Sequence, residues 1–267
     1  MNELDDYRAV FETITDIAHK QGIPAETAVA EYAPGQYEVN LRYRADVQLA
    51  CRDAVLLKRI IKVIAAQHGM EATFMAKPYN DDAGSGTHIH ISMLDDAGNN
   101  VFSGDTELGS ELLRHAVGGL FATMKEAMAI YAPNANSYRR FQEDSYVPLA
   151  KTWGWNNRTV AVRVPTGADA ARRIEHRVAG ADANPFLLTA VLLAGIHHGI
   201  TERVDPPEPV TGNAYQEPHA PLPARWPEAL DAFDKRSILN DYLDPGFCKA
   251  YLASKHAEMT LFEARIT

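Results

Sequence analysis

Four short stretches of this chain carry side chains that bind cations and anions. They are Glu31-Tyr-Ala-Pro-Gly-Gln-Tyr-Glu38, Gly84-Ser-Gly-Thr-His-Ile-His-Ile-Ser92, Asn157-Arg-Thr-Val-Ala-Val-Arg163 and Arg172-Arg-Ile-Glu-His-Arg177. In an extended backbone successive side chains point to opposite faces. His88, His90 and Ser92 then share one face, with Ile89, Ile91 and Met93 on the other. Arg173, Glu175 and Arg177 likewise share a face, with Ile174 and Val178 opposite. The pattern predicts a sheet with one apolar side against a core and one side bearing carboxylates, imidazoles and guanidiniums. Such a surface is unfavourable to assemble unless something charged, a metal or a phosphate, binds there.

Each stretch also has an ordinary reading. Glu31 and Glu38 flank Pro34-Gly35. They could converge on Mg²⁺ or Mn²⁺, or be two solvated glutamates beside a turn. The Gly84-Ser-Gly86 loop lets backbone approach an anion, and the histidines after it offer a metal ligand and a phosphate donor. The alternative is a glycine turn before two chance histidines. Arg158, Arg163, Arg172, Arg173 and Arg177 are interleaved with valines and an isoleucine at strand period. Several should therefore be half-buried, and buried arginines need anions, supplied by carboxylates or by a phosphate. Glu175, between two arginines, looks like a carboxylate oriented by its neighbours, which suits a metal ligand. Trp153 and Trp155 read as packing anchors, His197 and His198 as structural, and Cys51 as core.

These residues need a scaffold. Leu4 to Lys20 reads as a helix stopped by Gly22 and Pro24. Glu31 to Arg42 looks extended. Asp46 caps a helix running to His68, with Gly69 closing it. Residues 70–77 read as a strand ended by Pro78, 81–86 as a loop and 88–93 as a strand. Residues 95–100 are turn chemistry from which Val101 and Phe102 pair back. A helix spans Glu107 to Tyr131, weakened by Gly118 and Gly119. Residues 134–154 lack periodicity and read as a functional loop. Thr159–Pro165 and Ile174–Val178 read as strands, and Asn184-Pro185 starts a helix to about Arg203. The proline-rich 205–227 reads as a surface connection of limited flexibility. Two helical stretches close the chain, the last from about Pro245 to Ile266. The strands and helices do not alternate regularly, which predicts an α+β fold rather than a doubly wound one.

The composition narrows the function. With 267 residues, 46% apolar and 23% charged, the chain reads as an ordinary globular protein of one large domain or two small ones. The sequence contains no apolar run of membrane-spanning length, and the acidic, polar start does not read as a secretion signal. Two cysteines suggest free thiols in a reducing cytoplasm. A formal net charge of −9 argues against nucleic-acid binding. Arginines gathered between 139 and 177 run against that background and suit a small anionic substrate.

With these residues in hand, the chain resembles the C-terminal part of the catalytic domain of the glutamine synthetase family. The matching segments run in the family's order: Glu31…Gly35-Gln-Tyr-Glu38, Phe74-Met-Ala-Lys-Pro78, Gly84–Ser92, Asn136-Ser-Tyr-Arg-Arg140, Asn157-Arg158, Arg172–Arg177 and Asn184-Pro-Phe186. Within the family it is most similar to the γ-glutamyl-amine ligases of the γ-glutamylputrescine synthetase type. The resemblance implies a curved, mostly antiparallel sheet packed against helices. It implies one catalytic-domain portion over 1–267, incomplete at its N-terminus, with the family's β-grasp domain and first catalytic strands absent. The implied activity is ATP-dependent amide formation through γ-glutamyl phosphate, a phosphoryl transfer in which positioning and charge neutralisation dominate.

Carried over position by position, Glu31 and Glu38 match ligands of one Mg²⁺ or Mn²⁺, and His88 and Glu175 match ligands of a second. His90, Ser92 and Arg173 match the nucleotide side. Gly84, Arg140 and Arg177 match the amino-acid side, while Arg158 and Arg163 match arginines near the phosphates. The chain departs from the family at Ala83, where an Asn is usual, and at Tyr146, where a glutamate usually helps deprotonate ammonium. A phenol supplies no such negative charge at neutral pH, so a larger amine than ammonia is implied. The implied partners are glutamate, an amine and ATP, with no nucleic acid or membrane. Family members form rings, which admits a homo-oligomer. Replacing Glu175 or His88 with alanine is expected to weaken metal binding and leave the fold largely intact. Two alternatives stand beside this reading: a truncated, catalytically incompetent nucleotide-binding or assembly module, and an unrelated His/Glu metal hydrolase or oxygenase.

Overall fold

The computed structural model describes residues 3–104, 109–216 and 218–265. Short α1 (Glu3–Asp6) leads into α2 (Arg8–Lys20). Val10, Ile14 and Ala18 recur every fourth residue on α2 and are buried, as an amphipathic surface helix requires. They pack on Leu57, Ile60 and Ile64 of α3 (Val47–Gln67), a helix capped by Asp46, which accepts from Leu49 N at 2.9 Å. Strands β1 (Ala25–Ala30) and β2 (Tyr37–Leu41) form an antiparallel hairpin against this pair.

The larger core lies under a four-stranded sheet in the order β3-β6-β5-β4. Its strands are β3 (Ile89–Ile91), β4 (Trp153–Trp155), β5 (Val162–Val164) and β6 (Ile174–His176). The β3–β6 and β6–β5 pairs are antiparallel and β5–β4 is parallel. Val162, Val164 and Ile174 are fully buried against α4 (Glu111–Tyr131) and α6 (Pro185–Glu202). Short α5 (Ala135–Tyr138), α7 (Trp226–Asp234) and α8 (Pro245–Glu263) complete the helices. The α+β class and the mostly antiparallel sheet agree with the sequence.

Several local expectations are corrected. Residues 70–77 are not a strand. The backbone of Lys77 is instead bonded by a side chain, donating to Asn136 Oδ1 at 3.0 Å and accepting from Asn136 Nδ2 at 2.8 Å. Strand β1 escaped notice because its Ala-Glu-Thr-Ala-Val-Ala sequence is weakly apolar. The aperiodic 134–154 contains α5 and β4, both too short to show a period. The expected strand 159–165 shrinks to β5, since 157–160 is a turn. The expected ends at Glu107 and Ile266 lie outside the described residues, and α4 is capped by Ser110, which accepts from Leu113 N at 3.2 Å.

The proline-rich connection is more than a spacer. It runs along β4 and the preceding loop as a strap. Val210 N bonds Trp153 O at 2.8 Å, Leu222 N bonds Leu149 O at 3.0 Å and Lys151 N bonds Ala220 O at 2.9 Å. Trp153 Nε1 donates to Pro207 O at 2.6 Å, which gives the anchor expected of Trp153 its partner.

Gly119, which weakens α4 as a helix former, is needed for its crossing with α6. A Cβ there would sit 1.9 Å from Gly195 O and 2.6 Å from Gly199 Cα. Gly119→Ala gains about 1 kcal/mol of helix propensity but forces two backbones apart. We expect a net loss of roughly 2 kcal/mol or more, read as a lowered urea midpoint. A midpoint at or above the parent's would show that the crossing is not tight.

Candidate active site

The register of the sheet sets three chemical side chains in a row. His90 on β3 pairs with Glu175 on β6, which pairs with Arg163 on β5. Glu175, only 2% exposed, is the hub. Arg163 Nη1 donates to its Oε2 at 2.5 Å, Arg177 Nη1 donates to its Oε1, and His88 Nδ1 lies 3.4 Å from Oε1. Burial pushes the Glu175 carboxyl up, but Arg177 and the Arg163 hydrogen bond outweigh it and hold it below the ordinary carboxylate range. Arg163 Nη2 also donates to Asn156 Oδ1 at 2.6 Å, and Arg177 Nη2 to Arg158 O at 3.2 Å. Arg173 Nε donates to His90 Nδ1 at 3.1 Å. Ser92 follows β3 directly and is half-buried.

Both histidines on this face are held neutral. Burial lowers His88, Arg177 lowers it further, and Glu175 only partly compensates. Burial also lowers His90, with Glu175 again opposing the arginines. A neutral imidazole keeps a lone pair for a cation or a hydrogen bond.

The β1–β2 hairpin brings the other two carboxylates in. Glu31 follows β1, its N–H bonded to Gln36 O at 2.9 Å, and Glu38 lies on β2 opposite Val29. The Glu31 carboxyl is raised, by burial first and then by the charge of Glu38, while Arg158 and Arg177 pull it back. Glu31 therefore senses Glu38 and the arginines Arg158 and Arg177. Gln36 fixes this approach, donating to Gly84 O at 3.0 Å and Ser85 Oγ at 3.3 Å while accepting from Ala33 N at 3.2 Å. Gln36 stands inside a motif singled out for its glutamates, and nothing in its spacing marked it.

The glycine loop lies over Arg140. A Cβ on Gly84 would meet Arg140 Cγ at 2.7 Å and Ala76 O at 2.8 Å, so only glycine fits. Arg140, 3% exposed, donates to Val178 O at 2.8 Å and Arg177 O at 3.3 Å. Burial draws its guanidinium down to about 10. Its position is set by α5, where Asn134 and Ser137 form a capping box and both donate to Asp182, at 2.8 and 2.6 Å. The Asn-x-x-Ser spacing could have revealed that cap, but the Asp182 partner could not be read from sequence.

Tyr146 stands apart from this cluster. It is exposed and left-handed (φ 56°), on the loop after Arg140. Tyr215, from the strap, pins that loop by donating to Val147 O at 2.8 Å. The Tyr215 hydroxyl is pushed up to about 12 by burial and then by Asp144, with Arg177 and Arg140 opposing.

Beneath Glu175, on the core side, His176 is fully buried with its ring 4.5 Å from Tyr131. Neither ring nitrogen has a partner among the described residues. Burial, then His88 and Arg140, push it down to about 3.

Among the described residues no three His, Cys, Asp or Glu side chains form a group able to hold a metal ion. The candidates come in two pairs, Glu31 with Glu38 and His88 with Glu175. Ionised carboxylate and neutral imidazole suit Mg²⁺ or Mn²⁺, so the donors fit in kind, and each pair would need further ligands.

A sheet with one apolar face and one face of arginines, histidines and a pinned glutamate, approached by a two-carboxylate hairpin, gathers groups whose chemistry suits anions and cations. The glutamine synthetase catalytic-domain model matches residues 1–267, and the chain belongs to that family. It is 46% identical over its whole length to γ-glutamylputrescine synthetase PuuA of Escherichia coli, of which it covers 57%. It is 40% identical over 88% of its length to glutamate–isopropylamine ligase of a Pseudomonas species, covering 52% of that protein. Against γ-glutamylethanolamide synthetase GlnA4 of Streptomyces coelicolor the identity is 37% over 92% of the chain, again covering 52%. The solved structure of apo GmaS without ligand superposes with a TM-score of 0.91 at 32% identity, over the whole chain and 62% of GmaS. The chain thus spans little more than half the length of these curated relatives.

The burial of Glu175 revises one expectation from the sequence. Glu175→Ala should not leave the fold intact. It strands two guanidiniums, and we expect a loss of about 3–5 kcal/mol in urea unfolding, whereas a loss within about 0.5 kcal/mol, the usual effect at a surface site, would overturn the hub. Acid titration gives a second check. The folded His176 pKa (about 3) lies below the unfolded value (6.5), so between them the unfolded chain binds more protons. This contribution to stability is therefore full above about 6.5 and falls as pH drops towards about 3. His176→Phe should flatten the stability–pH slope in that window by up to about 1.4 kcal/mol per pH unit. An unchanged slope would show that His176 is protonated in the fold.

Proposed function

We propose that this chain forms the phosphate-handling part of an ATP-dependent ligase that joins the side-chain carboxyl of glutamate to an amine. The glutamate carboxylate accepts the terminal phosphoryl group of ATP, giving γ-glutamyl phosphate and ADP. The amine nitrogen then bonds the carbonyl carbon of that acyl phosphate, phosphate leaves and the nitrogen loses a proton. The observation that carries this reading is the His90–Glu175–Arg163 row with Arg177 bridging Glu175 to the Arg158 backbone. The names of the relatives, ligases of glutamate with putrescine, isopropylamine and ethanolamine, support it. They lend no support to the truncated-module reading.

The proposed roles follow from position. Glu31 with Glu38, and His88 with Glu175, would hold Mg²⁺ or Mn²⁺, which when bound neutralises phosphate oxygens. His90, Ser92 and Arg173 line the nucleotide end. Arg163 and Arg158 offset charge on the phosphoryl group in flight. Gly84, Arg140 and Arg177 frame the glutamate end, with Arg140 acting through the carbonyls it holds. Tyr146, on the exposed loop, screens the amine. The same reading places the chain as the C-terminal portion of a longer catalytic domain, in a homo-oligomer. It also places it in the cytoplasm, where the buried free thiols Cys51 and Cys248 persist.

The test is phosphate release from ATP with glutamate, Mn²⁺ and a panel of amines. Release should be faster with alkylamines than with ammonia, and Tyr146→Glu should shift the preference towards ammonia. ATP binding without release for any amine would overturn the ligase reading, and an unmoved preference would remove Tyr146 from it.

A further inference from the structure

Asn156 holds a left-handed backbone (φ 47°), as do Asp144, Tyr146 and Arg203 among the described non-glycine residues. Asp144 and Tyr146 lie on the exposed loop after Arg140, and Arg203 ends α6. Asn156 differs from them because its side chain bonds a member of the arginine row. It directly follows β4, where its N–H donates to Val164 O at 2.9 Å. The turn there sends two adjacent amides to different partners. Asn157 Nδ2 donates to Gly212 O of the strap at 2.7 Å, while Asn156 Oδ1 accepts from Arg163 Nη2 at 2.6 Å. Left-handed backbone is unfavourable for most side chains and tolerated by asparagine. Such residues gather at functional sites, where their geometry is part of the mechanism.

Arg163 has few other anchors. Its Nη1 donates to Glu175 Oε2 at 2.5 Å, and its buried Nε has no partner among the described residues. Without Asn156 the guanidinium would pivot on that one bond. Glu175 could not follow the tilt, because Arg177 holds its other oxygen. The neutrality of the amide matters as well. Two guanidiniums already share the single carboxylate of Glu175. A second carboxylate in place of Asn156 would cancel the positive charge left over, whereas an amide oxygen orients Arg163 and leaves that charge available to an anion. Resting on the phosphate-handling reading, we infer that Asn156 is a positioning residue for phosphoryl transfer: its side-chain oxygen presets the outer arm of Arg163, so that the phosphate meets a guanidinium already immobilised. An arginine that is ordered only on binding costs up to about tenfold in affinity.

Side-chain nitrogen NMR of the 267-residue protein reads the tie without any ligand. A guanidinium held at both ends rotates slowly and keeps its two Nη signals apart; the Arg163 pair is recognised by its loss in Arg163→Lys. The parent should show two signals. Asn156→Gly fits the left-handed turn and removes the oxygen, so it should merge them in a chain that still unfolds cooperatively in urea. Asn156→Asp accepts the same bond and should keep them apart. Calorimetric titration with ATP and Mn²⁺ then reads the consequence. Asn156→Gly should bind ATP up to about tenfold more weakly than the parent. Asn156→Asp should also bind it more weakly, with its oxygen in place and its charge opposed to the phosphate. Merged signals in the parent, two signals surviving in Asn156→Gly, or equal ATP affinity of the parent and Asn156→Gly would overturn the inference. A parent that binds no ATP while the signals behave as expected leaves the Asn156–Arg163 tie standing and removes the phosphate reading.

Discussion

Glu175 is the constraint on which the site depends. Its carboxylate is buried and neutralises only one of the two guanidiniums that grip it, so Arg163 and Arg177 together keep an excess positive charge at the centre of the sheet. Burying such a set costs several kcal/mol per ion unless hydrogen bonds are nearly complete. The second arms of both arginines add to them, one on Asn156 and one on the Arg158 carbonyl, while each buried Nε has no partner among the described residues. Both guanidiniums are thus held by two anchors each. A fixed positive field in a poorly hydrated place is what stabilises charge developing on a phosphoryl group.

The surrounding elements serve to keep that field in register. The α4–α6 crossing supports the apolar side of the sheet, and Gly119 allows it to be close. Gln36 ties the carboxylate hairpin to the glycine loop, and the Asn134–Ser137–Asp182 set places Arg140 beneath that loop. The strap holds the opposite edge through Trp153, Asn157 and Tyr215. Most of these ties are side-chain to backbone bonds between segments far apart in sequence. Such bonds fix loops that could not persist alone.

The neutrality of the histidines belongs to the same arrangement. His88 and His90 stand among arginines, where an added proton would be repelled, and burial reinforces this. The face therefore combines permanent positive charge with neutral imidazoles, one of which already accepts from Arg173. That combination suits a site where anions and cations meet.

Much of the candidate site was legible in the chain because strand period is local. The alternation in His88–Ser92 and Arg173–Arg177 placed the chemical side chains on one face, and caps such as Asp46 and Asn184 announced their helices. The β3–β6–β5 register was not legible, because it depends on which strands pair rather than on any strand alone. The same holds for the burial of Glu175, which turns a presumed replaceable ligand into a structural ion pair. Tyr215 and Gln36 gave no signal, since their partners lie 68 and 48 residues away. Sequence alone determined which groups face the wet side of each strand, through φ/ψ geometry. Only the tertiary structure decided which of those groups meet, because long-range hydrogen bonds and close helix crossings set the distances.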